Sequence, residues 1–254
     1  MRPCTRPGCA GGPNTWPRLV PQRPVRCGVF VCILTLYPNA LLLFMPLTAS
    51  DLHDWIRAFA ARIDEQRAYL TKLDSAIGDG DHGQNMNRGL SHAVGQLDHE
   101  ASMSDTMRTV AMALISKTGG ASGPLYGTLF MDAGKTLSTH DTLGTPEVAA
   151  LFRAGLEGVQ RRGKAEPQDK TMVDALLPAV EALEAAAEQG TALPEAIQQA
   201  AQAAKEGMEA TTPLEARKGR ASYLGPRSKG HQDPGATSTY YLIEAAAHAW
   251  GHSA

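Results

Sequence analysis

The chain is organised around one stretch, Leu73-Asp74-Ser75-Ala76-Ile77-Gly78-Asp79-Gly80-Asp81-His82-Gly83-Gln84-Asn85-Met86. Asp74, Asp79 and Asp81 place three carboxylates within eight residues, and glycines loosen the backbone between them. Charges this close repel one another unless a cation lies among them. Mg²⁺, which prefers a few carboxylates together with substrate phosphates, suits the stretch better than a Ca²⁺ cage made of protein alone. The stretch therefore predicts a magnesium site in a loop between two helices.

Three other interpretations of this stretch are weaker. Its glycines spell G-x-G-x-x-G, but a dinucleotide-binding loop must follow a strand, and the residues before it repeat at helical spacing. A calcium loop needs Asp or Asn where Gly83 stands, and a Glu at its twelfth position, which is absent. A solvated turn tolerates the glycines but gives no reason for three aspartates.

The sequence of the body, residues 45–254, predicts an all-α fold. Apolar residues recur at intervals of three and four, and no alternating strand pattern of any length is present. The first helix carries the apolar stripe Leu52, Trp55, Ile56, Phe59, Ile63, Leu70 and Leu73, with Thr48 or Ser50 as its cap. About eight helices are expected, near residues 52–73, 85–97, 105–116, 125–137, 146–162, 176–190, 194–210 and 237–250, with Pro178 kinking the sixth or delaying its start.

Residues 1–44 differ in composition from the rest. They hold all four cysteines, seven prolines and five arginines, and no acidic residue. The whole chain has 24 basic and 26 acidic residues, so without the extension 19 basic residues face the same 26 acids and the net charge is −7. The extension mimics a secretory signal, but its apolar runs are interrupted by Pro38 and Asn39 and are too short to span a bilayer.

Three explanations of the extension remain open: a wrongly chosen start codon with Met45 as the first residue, a genuine signal or anchor, and a disordered tail. Composition favours the first. The cysteine-free acidic body needs no oxidising compartment, so we expect a cytoplasmic protein that is not bound to a membrane.

Two further loops suggest phosphate binding. Gly119-Gly120-Ala121-Ser122-Gly123-Pro124 precedes a helix, where exposed backbone N–H groups can approach a phosphate, although a simple helix-breaking turn is an equally good interpretation. The basic segment at residues 217–229 contains five cations and is either a solvated loop or a phosphate clamp. Gly134-Lys135-Thr136 resembles the end of a P-loop, but its spacing is wrong. A net charge of −7 argues against nucleic acid as a partner.

Four motifs in this order resemble one family over essentially the whole body, the nucleotide-binding L subunit of bacterial dihydroxyacetone kinase. They are Leu73-Asp74 with residues 78–86, Gly119-Gly120-Ala121-Ser122-Gly123-Pro124-Leu125, Gly163-Lys164-Ala165 with Asp169-Lys170-Thr171-Met172, and Arg217-Lys218-Gly219-Arg220-Ala221-Ser222-Tyr223 with His231-Gln232-Asp233-Pro234-Gly235. The aspartate motif alone indicates the wider kinase superfamily, whereas all four together are specific. Residues 1–44 have no counterpart in this pattern.

The resemblance implies eight antiparallel helices in a barrel, with a nucleotide in the loops at one end. It implies that Asp74, Asp79 and Asp81 hold two Mg²⁺ ions and that no protein residue acts as a nucleophile. The nucleotide-binding residues that it implies are His82, Gly83, Gln84, Asn85, Ala121, Ser122, Gly163, Met172, Arg220, Asp233, Pro234 and Gly235.

The resemblance also implies partners. Self-contained dihydroxyacetone kinases join a ketone-binding domain to a domain of this kind, and a body of residues 45–254 has room for one only. It therefore implies a subunit that keeps ADP as a coenzyme, is rephosphorylated by a phosphohistidine protein of the phosphotransferase system, and phosphorylates dihydroxyacetone held on a separate K subunit. Two alternatives stay open: a subunit that uses and exchanges ATP, and a nucleotide-sensing regulatory module.

A chain that begins at Met45 is expected to fold and to bind nucleotide as well as the full chain does, because the family-like pattern lies entirely beyond residue 44. Circular dichroism and nucleotide titration of the two forms compare them. Loss of folding or of binding on this truncation would contradict the expectation.

Overall fold

A computed structural model describes residues 46–251 of the chain. The extension at residues 1–44 therefore lies outside the described residues. The helices of the described part are α1 (Ala49–Glu65), α2 (Arg67–Ile77), α3 (His82–Val94), α4 (Met103–Lys117), α5 (Ser122–Lys135), α6 (Thr145–Gly163), α7 (Val173–Glu188), α8 (Leu193–Ala210), a 3-10 helix (Arg220–Ser228) and α9 (Pro234–Trp250).

The prediction of an all-α fold is confirmed. Among residues 46–251 the only β-type pairing is an isolated antiparallel bridge between Leu47 and Leu143. Thr48 begins α1, and both its backbone N–H and its hydroxyl donate to the Asp51 carboxylate at 2.7 Å. This arrangement is a capping box, with the Asp51 charge at the positive end of the helix.

Helices α3, α5 and α9 each begin three residues earlier than predicted, and the structure departs further from the prediction in three places. The first predicted helix is divided at Gln66 into α1 and α2, a break that the apolar stripe does not reveal because its spacing continues across it. Helix α7 begins at Val173, with Pro178 inside it. The basic segment, expected to be a loop, forms a 3-10 helix in which Gly225 has a φ of 54°.

Each helix packs on its neighbours in an order that closes on itself. Helix α3 packs on α4, and the series continues through α5, α6, α7 and α8 to α9, which packs on α1; α1 in turn packs on α3. Consecutive helices from α3 onward are therefore neighbours in space as well as in sequence. The residues that begin α3, α5, α7 and α9 border one cavity, so these four N-termini lie close together.

The apolar stripes meet in one large core around Trp55. This side chain is fully buried, with its ring centroid 5.7 Å from Phe130, 5.6 Å from Phe152 and 4.9 Å from Trp250. Its indole N–H donates to the backbone oxygen of Leu242 at 2.9 Å. Trp55 thus joins α1 to α5, α6 and α9 and fixes the scaffold that carries the loops.

None of the helices in residues 46–251 combines the length and the apolar character needed to cross a bilayer.

Trp55→Ala is expected to lower the free energy of unfolding by about 3–5 kcal/mol, the range for truncating a buried aromatic side chain. Urea denaturation measures the loss. Tyr223→Ala is the control, because Tyr223 is 87% exposed, and a surface change of this kind costs within about 0.5 kcal/mol. Equal losses from both substitutions would show that Trp55 does not join the helices as described.

Candidate functional site

The loop between α2 and α3 carries the three predicted metal ligands. Asp74 is buried in the last turn of α2, and its Oδ2 accepts hydrogen bonds from the backbone N–H groups of Asp81 at 2.8 Å and His82 at 3.1 Å. The loop turns at Gly80, whose φ of 73° favours glycine. Asp74 therefore fixes the loop to the N-terminus of α3 while Asp79 and Asp81 stay exposed.

The three carboxylates form one cluster. Each of Asp74, Asp79 and Asp81 offers an oxygen, and these oxygens all lie within 4.8 Å of one another. Within residues 46–251 they are the only group of three or more acidic, histidine or cysteine side chains arranged in this way. Hard oxygen donors at this separation suit Mg²⁺.

Arg220, on the 3-10 helix, also reaches the cluster. Its Nη2 lies 3.0 Å from Oδ2 of Asp79, and the two side chains are 65% and 34% exposed. A pair as exposed as this adds little stability by itself. The contact matters because it shows that the guanidinium lies beside the carboxylates, where an anionic ligand of a bound cation would also lie.

The cluster forms one part of the wall of a cavity of about 470 Å³, a volume within the usual range for small-molecule sites. Four helices begin at this cavity: α3 at His82, α5 at Ser122, α7 at Val173 and α9 at Pro234. A helix N-terminus presents unpaired N–H groups and a partial positive charge. Four such ends around one cavity favour a ligand that carries several negative charges.

One part of the wall, near α5, α6 and α7, is apolar. Leu125, Val159, Met172 and Val173 line the cavity there, together with Ala165 from the loop between α6 and α7. An apolar surface of this kind accepts a flat ring. The cavity thus combines an anion-binding region with an apolar region suited to the flat base of a nucleotide.

His82 connects three of the helices at the site. Its Nδ1 lies 3.0 Å from the Ser122 hydroxyl and its Nε2 lies 2.9 Å from the Ser238 hydroxyl, which is 2.7 Å from the Tyr126 hydroxyl. Burial lowers the pKa of His82, although Asp74 and Asp81 raise it. A neutral ring with both nitrogens in hydrogen bonds orients Ser122 and the start of α5.

Asp233 begins α9 beside the cavity. Its Oδ2 accepts a hydrogen bond from the backbone N–H of Ala236 at 2.7 Å, so it caps the helix. Burial raises the pKa of Asp233 to about 7, while the Ala236 N–H and the ammonium of Lys170 favour the carboxylate.

The structure brings twelve of the predicted site residues together around the cavity. These are Asp74, Asp79, Asp81, His82, Ala121, Ser122, Gly163, Met172, Arg220, Asp233, Pro234 and Gly235. Gly83, Gln84 and Asn85 do not line it. Gly83 lies where α3 approaches α2, and a Cβ there would come within 2.2 Å of the Arg67 backbone oxygen. The Asn85 side chain is buried and its Oδ1 accepts a hydrogen bond from Arg88 at 2.7 Å.

Sequence reasoning did not assign three cations that line the cavity, Arg162, Lys170 and Lys218. Arg162 lies in the last turn of α6, where a cation is also explained by the helix dipole. Lys218 belongs to the basic segment that was predicted as a possible phosphate clamp. Lys170 stands in the third of the motifs that carry the family resemblance, but the resemblance assigned it no role.

Comparisons with known proteins agree with this geometry. The model of the DAK2 domain family matches residues 76–248. The PEP-dependent dihydroxyacetone kinase, ADP-binding subunit DhaL, of Escherichia coli is 43% identical over 79% of this chain and 96% of its own. The PTS-dependent dihydroxyacetone kinase, ADP-binding subunit DhaL, of Lactococcus lactis is 44% identical over 78% of this chain and 96% of its own.

The chain also matches part of larger kinases. The crystal structure of the dihydroxyacetone kinase from C. freundii in complex with AMP-PNP and Mg²⁺ superposes with a TM-score of 0.62 at 27% identity, covering 92% of this chain and 39% of that one. The L-erythrulose 1-kinase of Mycolicibacterium smegmatis is 40% identical over 71% of this chain and 32% of its own. The family model spans most of the chain, and the two ADP-binding subunits are matched over almost their whole length. The chain therefore belongs to the DAK2 domain family, among the DhaL-type subunits of dihydroxyacetone kinase.

Proposed function

We propose that this protein binds a magnesium complex of ADP or ATP in the cavity and transfers a phosphoryl group through it. The observation that carries the proposal is the set of three carboxylates within 4.8 Å of one another, in the wall of a cavity at which four helices begin. Carboxylates repel a free nucleotide, so their presence among helix N-termini makes chemical sense when a cation lies between the two. In this proposal residues 45–254 form the nucleotide-binding unit.

Asp74, Asp79 and Asp81 would hold the metal, as two Mg²⁺ ions in the full form of the proposal. The donor set fits, because it consists of oxygen atoms only and one oxygen of Asp74 is already fixed by backbone N–H groups. When bound, Mg²⁺ neutralises charge on the phosphates and on the group being transferred.

Residues of the chain would hold the rest of the nucleotide. The N-termini of α5 and α9, with Ala121, Ser122 and residues 233–235, face the phosphates, and Arg220 offers a planar pair of donors for phosphate oxygens. Leu125, Val159 and Met172 would enclose the base. Phosphoryl transfer relies chiefly on positioning and on charge stabilisation, so the site needs no protein nucleophile.

His82 supports this assignment of roles. Because both of its ring nitrogens are within hydrogen-bond distance of protein hydroxyls, the ring does not present a free nitrogen to attack a phosphate. We propose that His82, with Gly83, Gln84 and Asn85, shapes the start of α3 around the nucleotide.

The names of the relatives support a more specific proposal. Two of them are ADP-binding subunits of PEP-dependent or PTS-dependent dihydroxyacetone kinases. On that basis we propose that ADP stays bound, that a phosphohistidine protein of the phosphotransferase system rephosphorylates it, and that dihydroxyacetone is held on a separate K subunit. We propose on the same basis that the protein is cytoplasmic.

A second candidate function is an ATP-using subunit that exchanges its nucleotide in each cycle. The observation in its favour is the similarity to a dihydroxyacetone kinase solved with AMP-PNP, an analogue of ATP. Denaturing the purified protein and identifying the nucleotide it releases separates the two, since only a retained coenzyme survives purification.

We expect Asp74→Asn, Asp79→Asn and Asp81→Asn each to weaken metal-nucleotide binding and transfer together. At a Mg²⁺·ADP concentration of about 100 times Kd, the wild type should gain about 2.7 kcal/mol of stability, and each variant should gain less. A general base would behave differently, because its loss slows transfer and spares binding.

Thermal melting with and without Mg²⁺·ADP measures these gains, with ADP in chelator as the reference. Asp141→Asn is the matched control, since Asp141 is an exposed aspartate in the connection between α5 and α6, at the other end of α5 from the cavity. If the Asn variants gain as much stability from Mg²⁺·ADP as the wild type does, the three carboxylates do not form the metal site.

Arg220→Ala is expected to weaken nucleotide binding by about 1.5–3 kcal/mol, the range for a hydrogen bond to a charged group. Lys229→Ala is the control, because Lys229 lies nearby but pairs at 3.3 Å with Glu215, outside the cavity. Calorimetric titration with Mg²⁺·ADP compares the two. An unchanged Kd for Arg220→Ala would leave the basic segment as a solvated surface.

A further inference from the structure

Lys170 is the most deeply buried cation of the described chain, with 1% of its surface exposed. Its Nζ donates to three backbone oxygens, those of Ser228 at 2.7 Å, Leu214 at 3.0 Å and Thr212 at 3.4 Å. Burial lowers the pKa of Lys170, and the nearby Asp233 carboxylate raises it. A charge buried to this degree is tolerated only when its donors are satisfied.

Lys170 lines the cavity but has no donor left for a phosphate. An ammonium group has three N–H donors, and here three backbone oxygens accept from it. Its partners all belong to residues 211–228. We call this segment the Arg220 arm, because it contains the 3-10 helix that begins at Arg220. Lys170 therefore acts on the arm and does not bind a ligand directly.

The three accepting oxygens lie at the two ends of the arm. Thr212 and Leu214 stand where the arm leaves α8, and Ser228 stands where the 3-10 helix ends. Two other hydrogen bonds also join the two ends of the arm. The Gly230 N–H donates to the Thr212 oxygen at 2.9 Å, and the Ala216 N–H donates to the Ser228 hydroxyl at 2.9 Å. Lys170 thus gathers both ends of the arm at one point.

The loop that carries Lys170 is itself rigidly held. Lys164, Gln168 and Lys170 all have positive φ values, of 53°, 70° and 63°, which cost free energy for residues other than glycine and persist only where surrounding contacts enforce them. Asp169 accepts from the Glu166 N–H at 2.9 Å, and Asp174 accepts from the Thr171 N–H at 2.7 Å. The backbone of the loop is therefore fixed, and Lys170 reaches the arm from it.

Few other contacts hold the arm over the cavity. Its apolar contact with α2 is a small cluster in which Ile77, Ala216 and Ala221 are buried. Its ion pair with Asp79 is exposed and weak. Arg217 N–H also donates to the Asp169 oxygen at 3.0 Å, again on the loop that carries Lys170. The loop between α6 and α7 is thus a principal support of the arm.

We propose that Lys170 is a positioning residue that fixes the Arg220 arm so that Arg220 faces the nucleotide phosphates. This inference rests on the proposed function, because it assigns to Lys170 the placement of a phosphate-binding group. Without the three hydrogen bonds from Lys170, the arm would sample other positions and Arg220 would lose its place beside Asp79.

The first test needs no ligand. Lys170→Met keeps the length and apolar stem of the side chain but removes all three donors, so hydrogen exchange followed by mass spectrometry should show faster exchange in residues 211–230. Exchange within α4 should stay as in the wild type. Unchanged exchange in the arm would overturn the proposal, whatever the protein binds.

The second test is a double-mutant cycle on Mg²⁺·ADP binding, measured by calorimetry. Lys170→Met is expected to raise Kd by about tenfold or more, equivalent to about 1.4 kcal/mol. Added to Arg220→Ala it should raise Kd by less than about threefold further, because the group that it positions is already gone. A Kd within about twofold of wild type for Lys170→Met, or losses that simply multiply, would overturn the proposal.

The controls separate this proposal from the function on which it rests. Lys229→Met removes a neighbouring exposed lysine and should change neither exchange nor binding. Lys170→Gln keeps two donors on a shorter side chain and should give intermediate results; if neither variant folds, Lys170 is a folding residue and the proposal is wrong. A wild type that binds no Mg²⁺·ADP would defeat the proposed function, while the exchange measurement would still decide whether Lys170 fixes the arm.

Discussion

The interaction on which the site depends is the repulsion among three carboxylates held within 4.8 Å of one another. A chain accepts such crowding only where cations or hydrogen-bond donors offset it. In this protein the offsets converge from several sides: backbone N–H groups on Asp74, Arg220 on Asp79, and the partial positive charges at four helix N-termini. The same arrangement prepares the cavity for a cation and an anionic ligand together.

The helical scaffold makes this convergence possible. Helices that follow one another in sequence from α3 to α9 also pack on one another. The connections that precede α3, α5, α7 and α9 border one cavity although they are far apart in sequence. Trp55 and the aromatic rings around it hold α1, α5, α6 and α9 at fixed separations. The core thus determines how far the aspartates lie from the apolar wall, although Trp55 and the aromatic rings around it do not line the cavity.

Much of the fold and site could be predicted from the sequence because both depend on local patterns. Helical periodicity identified the helices, and the short aspartate motif implied ligands that are close in space. The break at Gln66 was not predicted, since the apolar stripe runs across it. The role of Lys170 was also inaccessible, because it depends on backbone oxygens that are 42 to 58 residues away in sequence. The family resemblance implied that Gly83 lines the nucleotide, whereas in the structure this glycine permits the close approach of α2 and α3.

The most direct test of the account is a crystal structure of the protein with Mn²⁺ in place of Mg²⁺ and with ADP, using the anomalous scattering of manganese to locate the ions. The account predicts anomalous peaks between the phosphates and the carboxylates of Asp74, Asp79 and Asp81, with the base against Leu125, Val159 and Met172. Manganese bound elsewhere, or ADP bound in the cavity without a metal at these carboxylates, would contradict it.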